Sequence, residues 1–261
     1  KASDQKGVFL EAPAIDMDWR PLAYLRNLVD IRSLTAADVR LLRMPALKPT
    51  DPNAPWLPDL NVTIGRFAVD RFAIAPAVTG KRHLVRLAGN ADIADGSARV
   101  FADARATAAP GIAGGDTVLV RLDAAPDRNR LQIDAGLTAP AGGLVDSFAG
   151  LDRPLQFKIA GRGDWTAWAG TAAGQIGGQP FADLKLAARN GTFAARGTLQ
   201  PQRLAETPDM KAEEAAQSPL AHLMAPALSL DAVAALANRR ADLRLSARSD
   251  ALTVAAKGVV D

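Results

Sequence analysis

The sequence predicts a mainly β protein built as one long antiparallel meander. Apolar and polar residues alternate with a period of two through most of the chain after residue 59, and turn pairs such as Asp95-Gly96 and Asn190-Gly191 separate the alternating segments. Aromatic residues make up only 5% of the chain, which is few for a compact core. A long meander with one continuous aliphatic face must close, stack or curl to hide that face.

Length, charge and cysteine content exclude several classes of protein. The 261 residues suffice for one large or two ordinary domains, and the absence of cysteine excludes disulfides, thiolate metal sites and cysteine nucleophiles. The net charge is +3, but the arginines alternate with aspartates along predicted strands, as in Arg86, Asp92 and Arg99. Nucleic-acid-binding proteins concentrate positive charge in one patch, so we expect a solvated sheet face and no nucleic-acid partner.

Residues 1–45 predict a strand–helix–strand unit at one end of the meander. Pro21 suits the first turn of a helix, and Pro13 suits an edge strand or a bulge. The predicted elements are a strand at Val8–Trp19, a short amphipathic helix at Pro21–Val29, and strands at Ile31–Leu34 and Asp38–Met44.

The remaining elements follow in chain order. A Pro-rich loop at 46–58 precedes a β meander at 59–200, in which we expect a tight turn near Gly65 and a second short helix at Ala141–Ala149. Residues 201–225 predict a polar loop with a third short helix at Pro219–Met224, and residues 226–261 predict a final, truncated hairpin. The apolar residues change phase at 67–74 and 164–176, so the pattern leaves the register of these two strands open.

No motif of a catalytic or metal site occurs in the sequence, and we predict neither an enzyme nor a cofactor. The two histidines, His83 and His222, lie far apart and are expected at a surface or an interface. Asp16, Asp18 and Asp30 flank the predicted strand–helix joint, where helix capping or solvation is the expected role. A hydrolytic or ligand-binding β-domain with an unrecognised site is one functional hypothesis; two others follow below from a family resemblance.

The in-phase apolar residues are the candidate site, as the lining of a groove. The same residues could instead form the interior of an ordinary β-sandwich, and the alternation alone leaves both arrangements open. The candidate lining residues are Val85, Leu87, Ile93, Val100, Ala102, Ala104, Val118, Val120, Leu122, Leu131, Ile133, Leu155, Phe157, Ile159, Leu184, Leu186, Phe193, Leu243, Leu245, Leu252 and Val254.

The N-terminal residues carry a family resemblance, which is specific between Gly7 and Met44 and covers most of the remaining chain only in pattern. The matching stretches are Gly7-Val8-Phe9-Leu10, Asp18-Trp19-Arg20-Pro21-Leu22, Val29-Asp30-Ile31, Leu34-Thr35-Ala36 and Val39-Arg40-Leu41-Leu42-Arg43. They resemble the N-terminal periplasmic region of the TamB/AsmA-like family, in which a Pro-rich loop and a long β meander follow.

This resemblance implies a single elongated, taco-like β-groove in the periplasm, belonging to a longer protein anchored in the bacterial inner membrane by a segment before Lys1. It implies a non-enzymatic function, conducting phospholipids between the inner and outer membranes with their acyl chains in the groove. The alternative that it implies is a scaffold for outer-membrane protein assembly or secretion, together with a TamA-like outer-membrane barrel.

Overall fold

The computed structural model describes residues 1–46, 61–94, 97–125, 128–164, 166–205, 225–237 and 240–260. In these ranges the protein is mainly β, as predicted, with sixteen strands and four short helices. The N-terminal strands are β1 (Ala2–Asp4), β2 (Gly7–Glu11), β3 (Asp16–Trp19), β4 (Leu28–Leu41) and β5 (Asn61–Ile74). The others are β6 (His83–Ala94), β7 (Ser97–Ala106), β8 (Thr117–Ala125), β9 (Arg130–Ala139), β10 (Leu155–Gly163), β11 (Trp168–Ile176), β12 (Gln179–Arg189), β13 (Thr192–Leu199), β14 (Leu228–Ala237), β15 (Arg240–Arg248) and β16 (Thr253–Val260).

All described strands belong to one sheet that does not close into a barrel. From β4 to β16 each strand pairs with the next in chain order, while β2 and β3 both pair with β4. The pairs are antiparallel except for β4 and β5, which run parallel from Leu28↔Asn61 to Leu41↔Ile74. The prediction of a purely antiparallel meander is therefore wrong at this pair. The connection 42–60 is nineteen residues long, which meets the dozen or more that a parallel crossover needs; most of the predicted Pro-rich loop falls at 47–60, outside the described residues.

The N-terminal unit differs from its prediction in three places. The predicted strand Val8–Trp19 is split into β2 and β3 around Pro13, which cannot donate to a ladder. The two strands predicted at Ile31–Leu34 and Asp38–Met44 are one strand, β4, because no turn-forming residue interrupts the segment between them. The predicted helix is a 3₁₀ helix, Pro21–Arg26, which ends at Asn27 in the left-handed conformation with a φ of 58°.

Two bulges explain the phase change at 67–74. The register of β5 against β6 shifts between Ile64 and Phe67 and again between Val69 and Phe72. Gly65 lies inside β5, so the tight turn predicted there is absent. A Cβ on Gly65 would lie 2.8 Å from the carbonyl oxygen of Arg32, so glycine allows the close approach of β4 and β5 at this point.

The strand ends form two rims of different construction. At the short-turn rim, strands are joined by two to four residues, as at Asn190-Gly191, where both residues have positive φ as a tight hairpin requires. The helical rim carries the longer connections with α1 (Pro76–Thr79), α2 (Leu144–Ala149) and α3 (Gln202–Ala205). The helix α2 confirms the prediction at Ala141–Ala149, whereas the predicted helix Pro219–Met224 lies outside the described residues. In residues 226–261 the strand Leu228–Ala237, β14, precedes the closing hairpin of β15 and β16.

Candidate functional site

One face of the sheet is apolar over its whole length. Residues directly paired in adjacent strands point to the same face, so the register can be followed from strand to strand. One row runs Leu87↔Ala104, Ala104↔Val118, Val118↔Leu137 and Leu137↔Phe157. Continued to β16, this register brings every predicted lining residue except Leu252 onto one face, which we call the inner face. Leu252 lies in the turn before β16, where its carbonyl accepts a hydrogen bond from the Ser249 N–H.

The inner face extends onto β4 and β5, which the sequence reasoning had not assigned to it. The paired inner residues are Val29↔Val62, Ile31↔Ile64, Leu34↔Phe67, Ala36↔Val69, Val39↔Phe72 and Leu41↔Ile74. Their spacing of two, three, two, three and two residues is identical in both strands. This shared spacing is the sequence pattern from which the inner face of β4 and β5 could have been predicted. It does not fit strict alternation, because each three-residue step contains the extra residue of a bulge.

Two hollows lie along the inner face. The small bay, of about 240 Å³, lies on β5 to β8 above small residues such as Gly89, Ala102 and Ala104, with Phe67 and Val118 beside them. The large bay, of about 790 Å³, is bordered by residues of every strand from β9 to β16, so it is a trough that runs across the strands. Its small lining residues are Ala195, Ala232, Ala234, Ala256 and Gly258.

The predicted lining residues divide between these hollows and the face around them. Leu87, Ala102, Ala104 and Val118 border the small bay. Leu131, Ile133, Ile159, Leu186, Phe193, Leu243 and Leu245 border the large bay. Val85, Ile93, Val100, Val120, Leu122, Leu155, Phe157, Leu184 and Val254 share the inner face but border neither hollow. Trp168 also borders the large bay. It is absent from the predicted lining because the alternation at 164–176 does not show which residues face inward.

The inner face is open rather than packed against a second layer. Val118 and Phe193 are each 38% exposed, Leu243 and Leu245 are 40% exposed, and Val254 is 41% exposed. A β-sandwich needs two sheets packed face to face, and the described strands form a single sheet. The structure therefore supports the groove over the sandwich.

The opposite face is polar and carries cross-strand ion pairs. Arg71 contacts Asp38 at 2.5 Å, Arg99 contacts Asp92 at 2.9 Å, and Arg196 contacts Asp231 at 2.9 Å. The Arg71 guanidinium holds the pKa of the Asp38 carboxyl below its usual value. These pairs are solvent-exposed and solvate the outside of the groove, as the sequence predicted.

A buried polar cluster fastens α2 to the helical rim. Asp116 accepts hydrogen bonds from the N–H groups of Leu144 (2.8 Å) and Val145 (2.9 Å). The Ser147 hydroxyl donates to the Gly143 carbonyl at 2.8 Å, so Nε2 of His83, 3.2 Å away, is the donor toward Ser147 Oγ.

His83 is fully buried, contrary to the expectation of a surface or interface position. It occupies the inner face at the start of β6, paired with Ile74, where α2 covers it. Burial lowers the pKa of His83, and the negative charge of Asp116 partly opposes that effect. The oxygen atoms of Asp116 and Ser147 bind backbone groups at the start of α2, so the cluster holds this helix against the strand ends. His222 lies outside the described residues.

Two carboxylates beside the 3₁₀ helix, Asp18 and Asp30, pair with arginines rather than cap the helix, and Asp16 is exposed. Asp30 accepts from Arg20 at 2.9 Å and Asp18 accepts from Arg32 at 3.1 Å, while no side chain caps the helix. Leu22 and Leu25 of this helix are 77% and 82% exposed.

The described residues contain neither a metal-binding cluster nor a helix that could span a membrane. No cluster of three or more histidine or carboxylate side chains suited to a metal ion occurs in the described ranges. None of the helices in those ranges has the length and apolar character needed to cross a membrane. Comparisons of the chain with protein-family models, with curated proteins and with solved structures found no match.

Proposed function

We propose that this chain is a non-enzymatic, periplasmic segment of an inner-membrane-anchored protein, and that its groove conducts phospholipids between the inner and outer membranes. The observation that carries the proposal is an apolar face that runs from β4 to β16, includes residues about 40% exposed such as Val118 and Leu245, and is not packed against a second sheet of the described protein. The resemblance of Gly7–Met44 to the TamB/AsmA-like family supplies the location and the membrane anchor.

The chemistry of the face suits acyl chains. Each methylene group transferred from water to an apolar surface stabilises the complex by about 0.8 kcal/mol, so a long trough can hold a tail without any polar contact. The large bay offers such a surface, since its inner-face lining is aliphatic and aromatic, with alanine and glycine leaving the space between larger side chains. Head groups then stay at the rims, in water.

A matched pair of substitutions tests lipid binding in the large bay. Leu245 faces the bay at 40% exposure, and Ser246, the next residue of β15, is exposed on the outer face. With a photo-crosslinking residue at Ala256, which pairs with Leu245, we expect crosslinks to phospholipid. Leu245→Glu should reduce them by about tenfold or more, because an unpaired charge against acyl chains costs more than the roughly 1.4 kcal/mol of a tenfold change.

Ser246→Glu should leave the crosslinks at the wild-type level. Val118→Glu and Thr117→Glu form the corresponding pair in the small bay, with a crosslinking residue at Ala104. Crosslinks that form only to protein, or an equal effect of the inner and outer substitutions, would exclude the conduit.

A second candidate function is a scaffold for outer-membrane protein assembly, with a TamA-like barrel as partner. The observation that favours it is the edge of β3, which pairs with β4 on one side and with no other described strand on the other. A free strand edge can accept a strand of another chain through backbone hydrogen bonds. A photo-crosslinking residue at Met17 of β3, which is 50% exposed, should then capture unfolded outer-membrane proteins in preference to lipid.

A further inference from the structure

We infer that one end of the groove docks on the surface of a phospholipid bilayer. The surface that docks consists of β3 and the 3₁₀ helix Pro21–Arg26 that follows it, which together we call the docking edge. The inference rests on the proposed function, because a conduit that carries phospholipids must receive them from a bilayer through an open end.

The apolar inner face continues onto β3 and ends there uncovered by any other described strand. Met17 pairs with the inner-face residue Leu34 of β4, and so belongs to the same face. Trp19 belongs to it as well, because it pairs with Ile31. Both side chains are exposed, and β3 pairs with no described strand other than β4. A lipid tail at the docking edge therefore meets an apolar surface that leads directly into the groove.

The 3₁₀ helix presents two leucines to solvent on the same side. Leu22 and Leu25 are three residues apart, and a 3₁₀ helix has three residues per turn, so their side chains lie one above the other. No other large apolar side chain in the described ranges is as exposed as these two. Tyr24, between them in sequence, is exposed too. Exposed leucine with tyrosine and tryptophan is typical of protein surfaces that lie in the interfacial layer of a bilayer.

The charges beside the helix complement phosphate groups. A hollow of about 530 Å³ adjoins the helix, and its described lining residues include three arginines but only one carboxylate. Asp30 binds Arg20, and Asp18, which is outside this lining, binds Arg32. Arg26 borders the hollow and makes no ion pair with any described residue. Its guanidinium is thus available to the phosphate group of a lipid head.

A bilayer satisfies the apolar and the charged parts of the docking edge at once. Leu22 and Leu25 enter the boundary between head groups and acyl chains, while Arg26 stays at the level of the phosphates. The local charge excess is a single arginine, so apolar contact supplies most of the binding and anionic lipid adds to it. Asp16 lies three residues along β3 from Trp19, roughly 10 Å from it, so its charge is remote from the helix.

Vesicle sedimentation of the full chain tests the docking edge. The vesicles are pure phosphatidylcholine and an equimolar mixture of phosphatidylcholine with phosphatidylglycerol; the wild-type chain should bind both, and the mixture more tightly. Replacing both leucines, in Leu22→Ser/Leu25→Ser, should lower the partition coefficient about tenfold or more on both vesicles, because the apolar contact is lost. Arg26→Gln should lower it about fivefold on the mixture and leave binding to pure phosphatidylcholine unchanged.

Phe148→Ser is the matched control. Phe148 is a large apolar residue, 57% exposed, on α2 at the helical rim, whereas the 3₁₀ helix adjoins the start of β4 at the short-turn rim. Its replacement should leave binding to both vesicles at the wild-type level. Every substituted side chain is exposed, so the variants should fold like the wild type. A photo-crosslinking residue at Tyr24 gives a second measurement and should label phospholipid in the vesicle-bound chain.

No vesicle binding by the wild-type chain, or binding that survives the loss of both leucines, would overturn the docking edge. An equal loss in Phe148→Ser, or crosslinks from position 24 to a second copy of the chain instead of lipid, would overturn it as well. The Ala256 crosslinks decide the proposed function separately. Lipid captured at Ala256 without vesicle docking leaves the proposed function standing, whereas docking without lipid at Ala256 refutes the conduit and leaves the docking edge.

Discussion

The strand β11 and the strands β15–β16 have similar sequence patterns but opposite environments. In each, every second residue is apolar or glycine and belongs to the inner face. Yet Ile176 of β11 is completely buried, whereas Leu243, Leu245 and Val254 remain about 40% exposed. The neighbours of the two regions also differ: the rings of Phe157 on β10 and Phe181 on β12 lie over Gly174 of β11, whereas Leu243 and Leu245 of β15 pair with Gly258 and Ala256 on β16. Alternation assigns a face, and the sizes of paired residues decide whether that face is covered.

The largest expected effect is the loss of the Trp168 ring. Trp168→Ala should lower the free energy of unfolding by about 3–5 kcal/mol, the usual cost of truncating a buried aromatic residue. Leu245→Ala, at an open position, should cost less, about 1 kcal/mol, since Leu245 remains 40% exposed in the folded state and loses less burial on truncation. Denaturant unfolding of the two variants measures the contrast, and equal losses would contradict the distinction between covered and open regions.

The two glycines that contact the Trp168 ring, Gly161 and Gly170, should be nearly as sensitive to substitution. Gly161→Ala places a methyl group where the indole lies, so we expect a loss of about 1–3 kcal/mol from overpacking. Gly136→Ala is the matched control, because a Cβ there meets no atom within 4 Å. Thermal unfolding should show a lower midpoint for Gly161→Ala alone; a stable variant would mean that the ring has another position.

The covered end of the inner face at His83 should make stability depend on pH. The folded state holds the pKa of His83 below the ordinary value of about 6.5, so the unfolded state binds the proton more readily. The stability that neutral His83 contributes is complete above pH ~6.5 and is lost as the pH falls from there through the folded-state pKa. Within that range the folding equilibrium constant should fall by up to about tenfold per pH unit.

His83→Gln removes this titration and should flatten the pH dependence of the unfolding free energy below pH ~6.5. An open inner-face variant such as Leu243→Ala should retain the wild-type slope. A slope unchanged by His83→Gln would show that other groups cause the loss.

Sequence reasoning reached the fold class and the inner face because both follow from a period of two. It missed the parallel pairing of β4 with β5, since alternation carries no information about strand direction across a long connection. It also divided β4 in two and placed a turn at Gly65, because bulges change the phase of the pattern in the same way as a turn.

The sequence could not show which parts of the inner face are buried, and the reason is different. Whether Trp168 fills the groove depends on glycines at 161 and 170, whose pairing follows only from the register of β10 with β11. The burial of His83 likewise depends on α2, which lies sixty-four residues away at Ser147. Both are contacts between strands or connections, not properties of one segment.

The matched bulges of β4 and β5 have a consequence for how this protein can evolve. A single-residue deletion just after Gly65 would remove a bulge from β5 alone, so Phe67, Val69 and Phe72 would lose their one-to-one pairing with Leu34, Ala36 and Val39 of β4. We therefore expect an insertion or deletion within β4 to be tolerated only when β5 changes at the paired position as well. Paired positions of β4 and β5 lie thirty-three residues apart in this chain. In related chains we expect this separation to change with the length of the connection 42–60, while the spacing of the apolar residues within each of the two strands stays the same.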